Sequence, residues 1–200
     1  MKALPLDFYQ QEDVVKIAKQ LLGKILISKI NGHKTGGMII ETEAYGGITD
    51  KACHTYKGRR TERTKTMFQM GGVAYIYLCY GLHNMFNVVT NKKENPEAVL
   101  IRAIYPQTGI NVMLKRRKKN KFSPLLTSGP GSLCRALAIT KAQDNHLLSK
   151  SPLWIEENDI RVKEKDIEKS KRIGIDYAQE DADRLWRFRI TRQIIDALIS

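Results

Sequence analysis

Hydrophobic and polar positions follow two periods along this chain, and the points where the period changes mark its elements. From Asp13 to Leu22, Val14, Val15, Ile17, Ala18, Leu21 and Leu22 recur at helical spacing with Gly23 as a stop, which predicts an amphipathic helix. Lys24 to Ile30 reads as a strand. Asn31-Gly32 is then a hairpin signal that returns the chain antiparallel through a slightly longer loop, reaching Thr35-Gly36. The returning strand, Gly36 to Tyr45, reads GGMIIETEAY, apolar first and then alternating. Side chains two apart share one face of a strand, so Glu41, Glu43 and Tyr45 look one way while Thr42 and Ala44 look the other. Two carboxylates on one face are costly to bury without partners, so this strand either emerges at the surface or lines a functional cleft.

Gly46 to Met70 loses the apolar pattern, and a loop this long inside a compact domain is more often functional than idle. Val73 to Thr90 restores β character as VAYIYLCY and MFNVVT separated by GLHN, a second hairpin. Tyr75, Tyr77 and Cys79 share one face there and Ile76 and Leu78 the other, so the aliphatics are expected toward the core, while Tyr80 protrudes at the turn. Ala98 to Tyr105 is a buried-looking strand with one charge, Arg102, in its middle. Gln107 to Asn120 is a helix candidate running into the basic cluster Lys115 to Lys121, and Leu125 to Ile139 is a loop, TSGPG, entering a helix. Trp154 to Val162 suggests a hairpin around Glu157-Asn158-Asp159, and Lys163 to Arg172 a charged surface stretch. Trp186 to Ile190 reads as a closing strand and Arg192 to Ile199 as a short helix.

Composition narrows the class. The 200 residues, 42% hydrophobic and 28% charged, suit one soluble domain with a substantial core, and no Gly/Ser/Pro-rich linker divides them. The 34 Lys and Arg outnumber the 21 Asp and Glu to leave a net charge of +13, which favours a polyanionic partner. Nucleic acid is expected rather than membrane, since no apolar run approaches the ~20 residues of a spanning helix. Three widely spaced cysteines, Cys53, Cys79 and Cys134, suggest neither a disulfide framework nor a zinc cluster, and MKALPLDFYQ lacks a signal-peptide core, so a cytoplasmic location is expected.

A carboxylate strand, an aromatic hairpin face and a protruding tyrosine in a basic protein meet the needs of an enzyme that extrudes a nucleobase, holds it between rings and cuts it free. The motifs carry the reading further. LLGKIL, GMIIETEAY, the D-x-x-x-H of Asp50 to His54, the R-x-x-x-M-F of Arg63 to Phe68 and YIYLCYGLHNMFNVV recur in order, followed by VLIRAIYP, SGPGSLCRALAI, RIGI and WRF. With these the chain resembles the alkyladenine (3-methyladenine) DNA glycosylase family, in its compact bacterial form, over nearly its whole length. The resemblance implies Glu43 as the base that deprotonates an attacking water, with Arg102 orienting that water or a nearby phosphate. It further implies Tyr45, His54, Tyr77 and Asn87 as walls of the base pocket and Tyr80 as the residue inserted into the duplex. Glu41 gains no role from it. Thr64, Gly71 and Leu82 depart from the family pattern near the pocket or the wedge, which bears on substrate range and DNA grip. The role of His83 stays open.

Each residue also has an ordinary reading. His54 suits a solvated loop, Tyr80 an exposed turn, Asn87 a strand amide bonded to backbone and Arg102 a buried partner of Glu43. The Lys115 to Lys121 run suits a solvated surface, and SGPG either a helix cap or an anion-binding N-terminus. The chain is therefore expected to be a single α+β domain. A curved, mainly antiparallel sheet carries peripheral helices and a hairpin that inserts into DNA. The expected activity is hydrolytic removal of alkylated or deaminated purines from double-stranded DNA by a monomer without cofactor or metal. A non-catalytic nucleic-acid-binding module and a metal hydrolase using Glu43, Asp50 and His54 are the competing readings.

Overall fold

In chain order the elements are α1 (Leu6–Tyr9), α2 (Val14–Gln20), β1 (Ile25–Ile30), β2 (His33–Tyr45), β3 (Ala74–Cys79), β4 (His83–Thr90) and β5 (Glu97–Thr108). They continue with α3 (Ile110–Arg117), α4 (Pro130–Leu137), β6 (Ser149–Lys150), β7 (Leu153–Glu156), β8 (Ile167–Ser170), β9 (Arg187–Ile190) and α5 (Arg192–Ile199). The structure is a computed structural model that describes residues 2–199. Its strands form one antiparallel sheet in the order β3-β4-β5-β2-β1-β7-β6, with β9 pairing β2 and β8 pairing β9. The helices sit around it, giving the α+β architecture expected.

Local chemistry explains the boundaries. The Asp13 carboxylate accepts from the Lys16 N–H at 3.0 Å and so starts α2, and Gly23, at φ +86°, ends the helical turn. Val14, Ile17 and Ala18 bury the inner face of α2 against β2, where the Thr42 hydroxyl donates to the Ala18 carbonyl at 2.9 Å. The β1–β2 turn is tighter than expected. Asn31 and Gly32 both have positive φ, 54° and 75°, and Ile30 pairs directly with His33. Two left-handed residues match the strand twist by themselves, so Thr35 and Gly36 are free to pair with Ser28 and Ile27.

Strand β2 bonds β1 through its first part, β5 through most of its length and β9 at Glu41 to Glu43. Register shifts against β5 near Gly36, Glu41 and Thr42 bend it, and this bend curves the sheet. Ile39, Ile76, Phe86, Val99, Ile101, Leu133 and Phe188 meet in the core, with α4 packed against β4 and β5.

The β3–β4 hairpin leaves that core. Strand β5 pairs β4 only from Asn87 to Thr90, so the part from His83 to Phe86 extends past the sheet. Ile76, paired with buried Phe86, still reaches the core, but Leu78, expected on the core face with it, pairs with Asn84 nearer the tip and is exposed. The turn is Tyr80-Gly81-Leu82 rather than GLHN, because His83 and Asn84 pair with Cys79 and Leu78.

Two further expectations are corrected. No hairpin centres on Glu157 to Asp159: β7 pairs back with β6, Glu157 is held by Lys24, and the Asn158 amide donates to the Gly23 carbonyl at 2.8 Å. The stretch from Lys163 to Arg172 is not simply surface, since it contains β8 and ends on a fully buried arginine. Helix α3 is shorter than expected because Gly109 and Lys118, at φ 72° and 53°, bracket it. Among the described residues, no helix is long and apolar enough to cross a membrane.

Gly37 lies at a bulge of β2 where a Cβ would stand 2.0 Å from the Tyr105 carbonyl oxygen. Gly37→Ala should lower stability by about 1 to 3 kcal/mol in urea unfolding, with the loss read from the midpoint.

Candidate active site

The alternation of β2 brings Glu41, Glu43 and Tyr45 to one face, and their shared partners define it. Arg102, on β5, donates from Nε to Glu41 Oε1 at 2.9 Å and holds Nη1 3.3 Å from Glu43 Oε1. The Tyr45 hydroxyl donates to Glu43 Oε2 at 2.9 Å, and the Ile173 N–H donates to Oε1 at 2.9 Å. A carboxylate offers about four acceptor positions. The three contacts on Glu43 leave room for one more at Oε2.

Glu43 has no exposed surface. Burial pushes its pKa up, against the pull of Arg102, the Ile173 N–H and the Tyr45 hydroxyl. Burial likewise works against the charge of Arg102, but the Glu43 and Glu41 carboxylates outweigh it and raise that pKa. Burial and the neighbouring Glu43 push Tyr45 well up, keeping its hydroxyl a donor. A carboxylate raised in this way accepts a proton more readily than an exposed one, which suits a general base.

A second layer fixes this group. Arg172 binds Asp50 in bidentate fashion, Nη1 to Oδ2 at 2.5 Å and Nη2 to Oδ1 at 2.9 Å, with both side chains fully buried. Its Nη1 also donates to the Ala44 carbonyl at 2.9 Å, and its guanidinium lies 4.9 Å from the Tyr45 ring centre and 5.2 Å from that of Trp186. Asp50 further accepts from the N–H groups of Gly46 and Ala52. The pair locks the loop after β2 to the segment whose next N–H, that of Ile173, holds Glu43.

In front of this layer lies a cavity of about 470 Å³ lined by Tyr45, His54, Arg63, Tyr75, Tyr77, Asn87, Arg102 and Ile173 among others. Glu43 stands one step behind the lining, and Tyr45, Arg102 and Ile173, its three partners, form that lining. The His54 ring meets Tyr77 edge-on at 4.6 Å, and its Nδ1 lies 3.0 Å from the Tyr75 hydroxyl. Burial, then Arg63 and Arg59, lower the His54 pKa to about 4, so the ring is neutral near pH 7. Asn87 is buried and spends its amide N–H groups on the Tyr75 and Met85 carbonyls at 3.1 and 3.4 Å, leaving its oxygen for the cavity. Tyr80, at the hairpin tip, is 92% exposed with a left-handed φ of 50°, flanked by exposed Leu78 and Leu82.

The family model described as methylpurine-DNA glycosylase (MPG) matches residues 7–194. The chain belongs to this family. It is a DNA glycosylase, and curated relatives cover nearly all of it. A protein of Chlamydia abortus named "Putative 3-methyladenine DNA glycosylase" is 48% identical over 92% of this chain and 96% of its own. Proteins of the same name from Clostridium novyi and Desulfitobacterium hafniense are 47% and 44% identical over 95% and 94% of this chain, and 96% and 95% of their own.

The residues singled out in the glycosylase sequence thus gather around one cavity: Tyr45, His54, Tyr77, Asn87 and Arg102 line it, Tyr80 belongs to its lining while staying largely exposed, and Glu43 stands behind. Sequence reasoning missed the Asp50–Arg172 pair, Tyr75 and Arg63 as parts of this site. Arg172 carried a signal in the RIGI motif, hidden by the charged residues before it. Of the departures, Thr64 is buried in a turn where its hydroxyl donates to the Arg59 carbonyl at 3.1 Å. Gly71 is not near the pocket: it packs on Tyr9 and Asn91, and its N–H donates to the Asn91 carbonyl at 2.9 Å, which a proline could not do.

The basic cluster is partly structural as well. Arg116 donates to the Ala136 and Ile30 carbonyls and Arg117 to that of Leu126. No group of three or more His, Cys, Asp or Glu suited to a metal lies among the described residues, and Asp50, offered as a ligand in the metal-hydrolase reading, is committed to Arg172.

Two outcomes follow from this geometry. Arg172→Met strands the buried Asp50 charge and should cost about 3 to 5 kcal/mol in urea unfolding, part of which Asp50→Asn in the same chain restores. The depressed His54 pKa means the unfolded chain binds this proton first, so its contribution to stability falls as pH drops from 6.5 toward about 4 and is flat above. NMR titration of the His54 ring checks the midpoint.

Proposed function

We propose that this glycosylase excises alkylated and deaminated purines of the 3-methyladenine, 7-methylguanine, hypoxanthine and ethenoadenine class from double-stranded DNA by hydrolysis. It leaves an abasic site and acts as a cytoplasmic monomer. The observation that carries the reading is a fully buried carboxylate, Glu43, whose hydrogen-bond partners wall an aromatic cavity beneath a protruding tyrosine. The +13 net charge supplies attraction for the phosphate backbone.

Tyr80 enters the stack where the damaged nucleotide was, and the unstacking of a few kcal/mol that this requires is least at a damaged pair. The extruded base enters the cavity between Tyr45, His54 and Tyr77. Electron-rich rings hold a cationic base by ~0.5 to 2 kcal/mol more than a neutral analogue. The bond from C1′ to the base nitrogen breaks with its electrons going to the base, and the sugar takes on oxocarbenium character that the Glu43 carboxylate stabilises. Water at the remaining acceptor position of Oε2 adds its oxygen to C1′ and gives its proton to Glu43. Arg102, anchored by Glu41, orients the carboxylate and the water.

Glu43→Gln keeps the size and loses the base. In single-turnover assays on duplexes bearing hypoxanthine or ethenoadenine, with chelator present, it should slow base release by about 10² to 10⁴ while leaving salt-dependent duplex binding intact. Equal release by both proteins removes Glu43 from the mechanism.

A further inference from the structure

Both tyrosines assigned to the base pocket carry an arginine on the ring. Over Tyr45 the guanidinium of Arg172 lies at 4.9 Å, and over Tyr77 that of Arg63 lies at 4.7 Å. The two differ in how their charge is balanced. Arg172 is buried in its bidentate pair with Asp50. Arg63 is exposed, lines the cavity and has no carboxylate within ion-pair distance among the described residues; it also lies 3.5 Å from His54 Nε2 and within hydrogen-bonding reach of the Tyr75 hydroxyl. Its charge reaches the pocket walls, where it acts on the titration of His54, Tyr75 and Tyr77.

A purine alkylated on a ring nitrogen is a cation, whereas a deaminated purine such as hypoxanthine is neutral. An aromatic wall attracts the cation through its quadrupole. A guanidinium already on that wall occupies the same field and repels a second positive charge at close range, with solvent screening part of the effect at this exposed side chain. Whichever face of Tyr77 the base takes, the Arg63 charge remains beside it.

We propose that Arg63 is a specificity-determining residue that opposes capture of cationic bases, so that neutral damaged purines compete for the same cavity. This rests on the excision reading above. The charge is the operative feature, so Lys in its place retains the effect and Gln abolishes it. Arg63 is exposed, and its replacement leaves the buried core untouched.

The test is single-turnover excision from duplexes carrying 7-methylguanine and hypoxanthine, by wild type, Arg63→Gln and Arg63→Lys, with efficiency taken from the dependence of rate on enzyme concentration. The expected result is a rise of about tenfold in the ratio of 7-methylguanine to hypoxanthine efficiency for Arg63→Gln, with Arg63→Lys near wild type. A parallel fall on both duplexes at constant ratio overturns the proposal and makes Arg63 a phosphate or structural contact. An unchanged pair of efficiencies overturns it too. If wild type releases neither base, the excision reading fails, and the proposal fails with it.

Discussion

A carboxylate without exposed surface is stable only where its neighbours answer its charge, and the architecture of this glycosylase is arranged to supply such neighbours to Glu43. One comes from the adjacent strand, as Arg102. Another comes from two residues along the same strand, as the Tyr45 hydroxyl. A third comes from a distant segment, as the Ile173 N–H. Because the last is a backbone group, its position depends on everything that fixes Arg172, and hence on Asp50, Ala44 and the Trp186 ring. The desolvation that raises the Glu43 pKa and the contacts that lower it act on the same two oxygens. Their balance leaves the pKa raised, so the group takes a proton more readily than an exposed carboxylate.

The sheet makes this possible. Strand β2 has β5 on one side and β1 and then β9 on the other, so its carboxyl-bearing end is held on both edges while it bends away from the core. The hairpin of β3 and β4 shares that bend, since its pairing to β5 stops at Asn87. Phe86 and its partner Ile76 still pack in the core, but the residues nearer the tip have no core to enter. Those facing inward wall the cavity, and those at the tip face solvent.

Much of this was legible in the chain. A period of two in ETEAY is enough to put Glu43 and Tyr45 on one face, and a lone arginine in AVLIRAIY needs a carboxylate across the strand. The extent of the core was not legible: Leu78 follows the same alternation as Ile76, and it is exposed because it lies nearer the hairpin tip, past the point where Ile76 and Phe86 end the core. Nor was the Asp50–Arg172 pair, whose members are far apart in sequence and in segments that look like solvated loop and charged surface. Long-range pairing of loop residues leaves no periodic trace. Arg63 stood in the R-x-x-x-M-F motif without a role, which only its position over Tyr77 supplies.

The most direct test of Glu43 as a poised buried base is the pH dependence of single-turnover hypoxanthine release, chosen because the neutral base does not change its own charge near neutral pH. The account predicts a rate that rises with pH along one ionisation whose apparent pKa lies above the ordinary glutamate value of about 4.3. A rate independent of pH through the carboxylate and neutral ranges, with duplex binding constant, would contradict it.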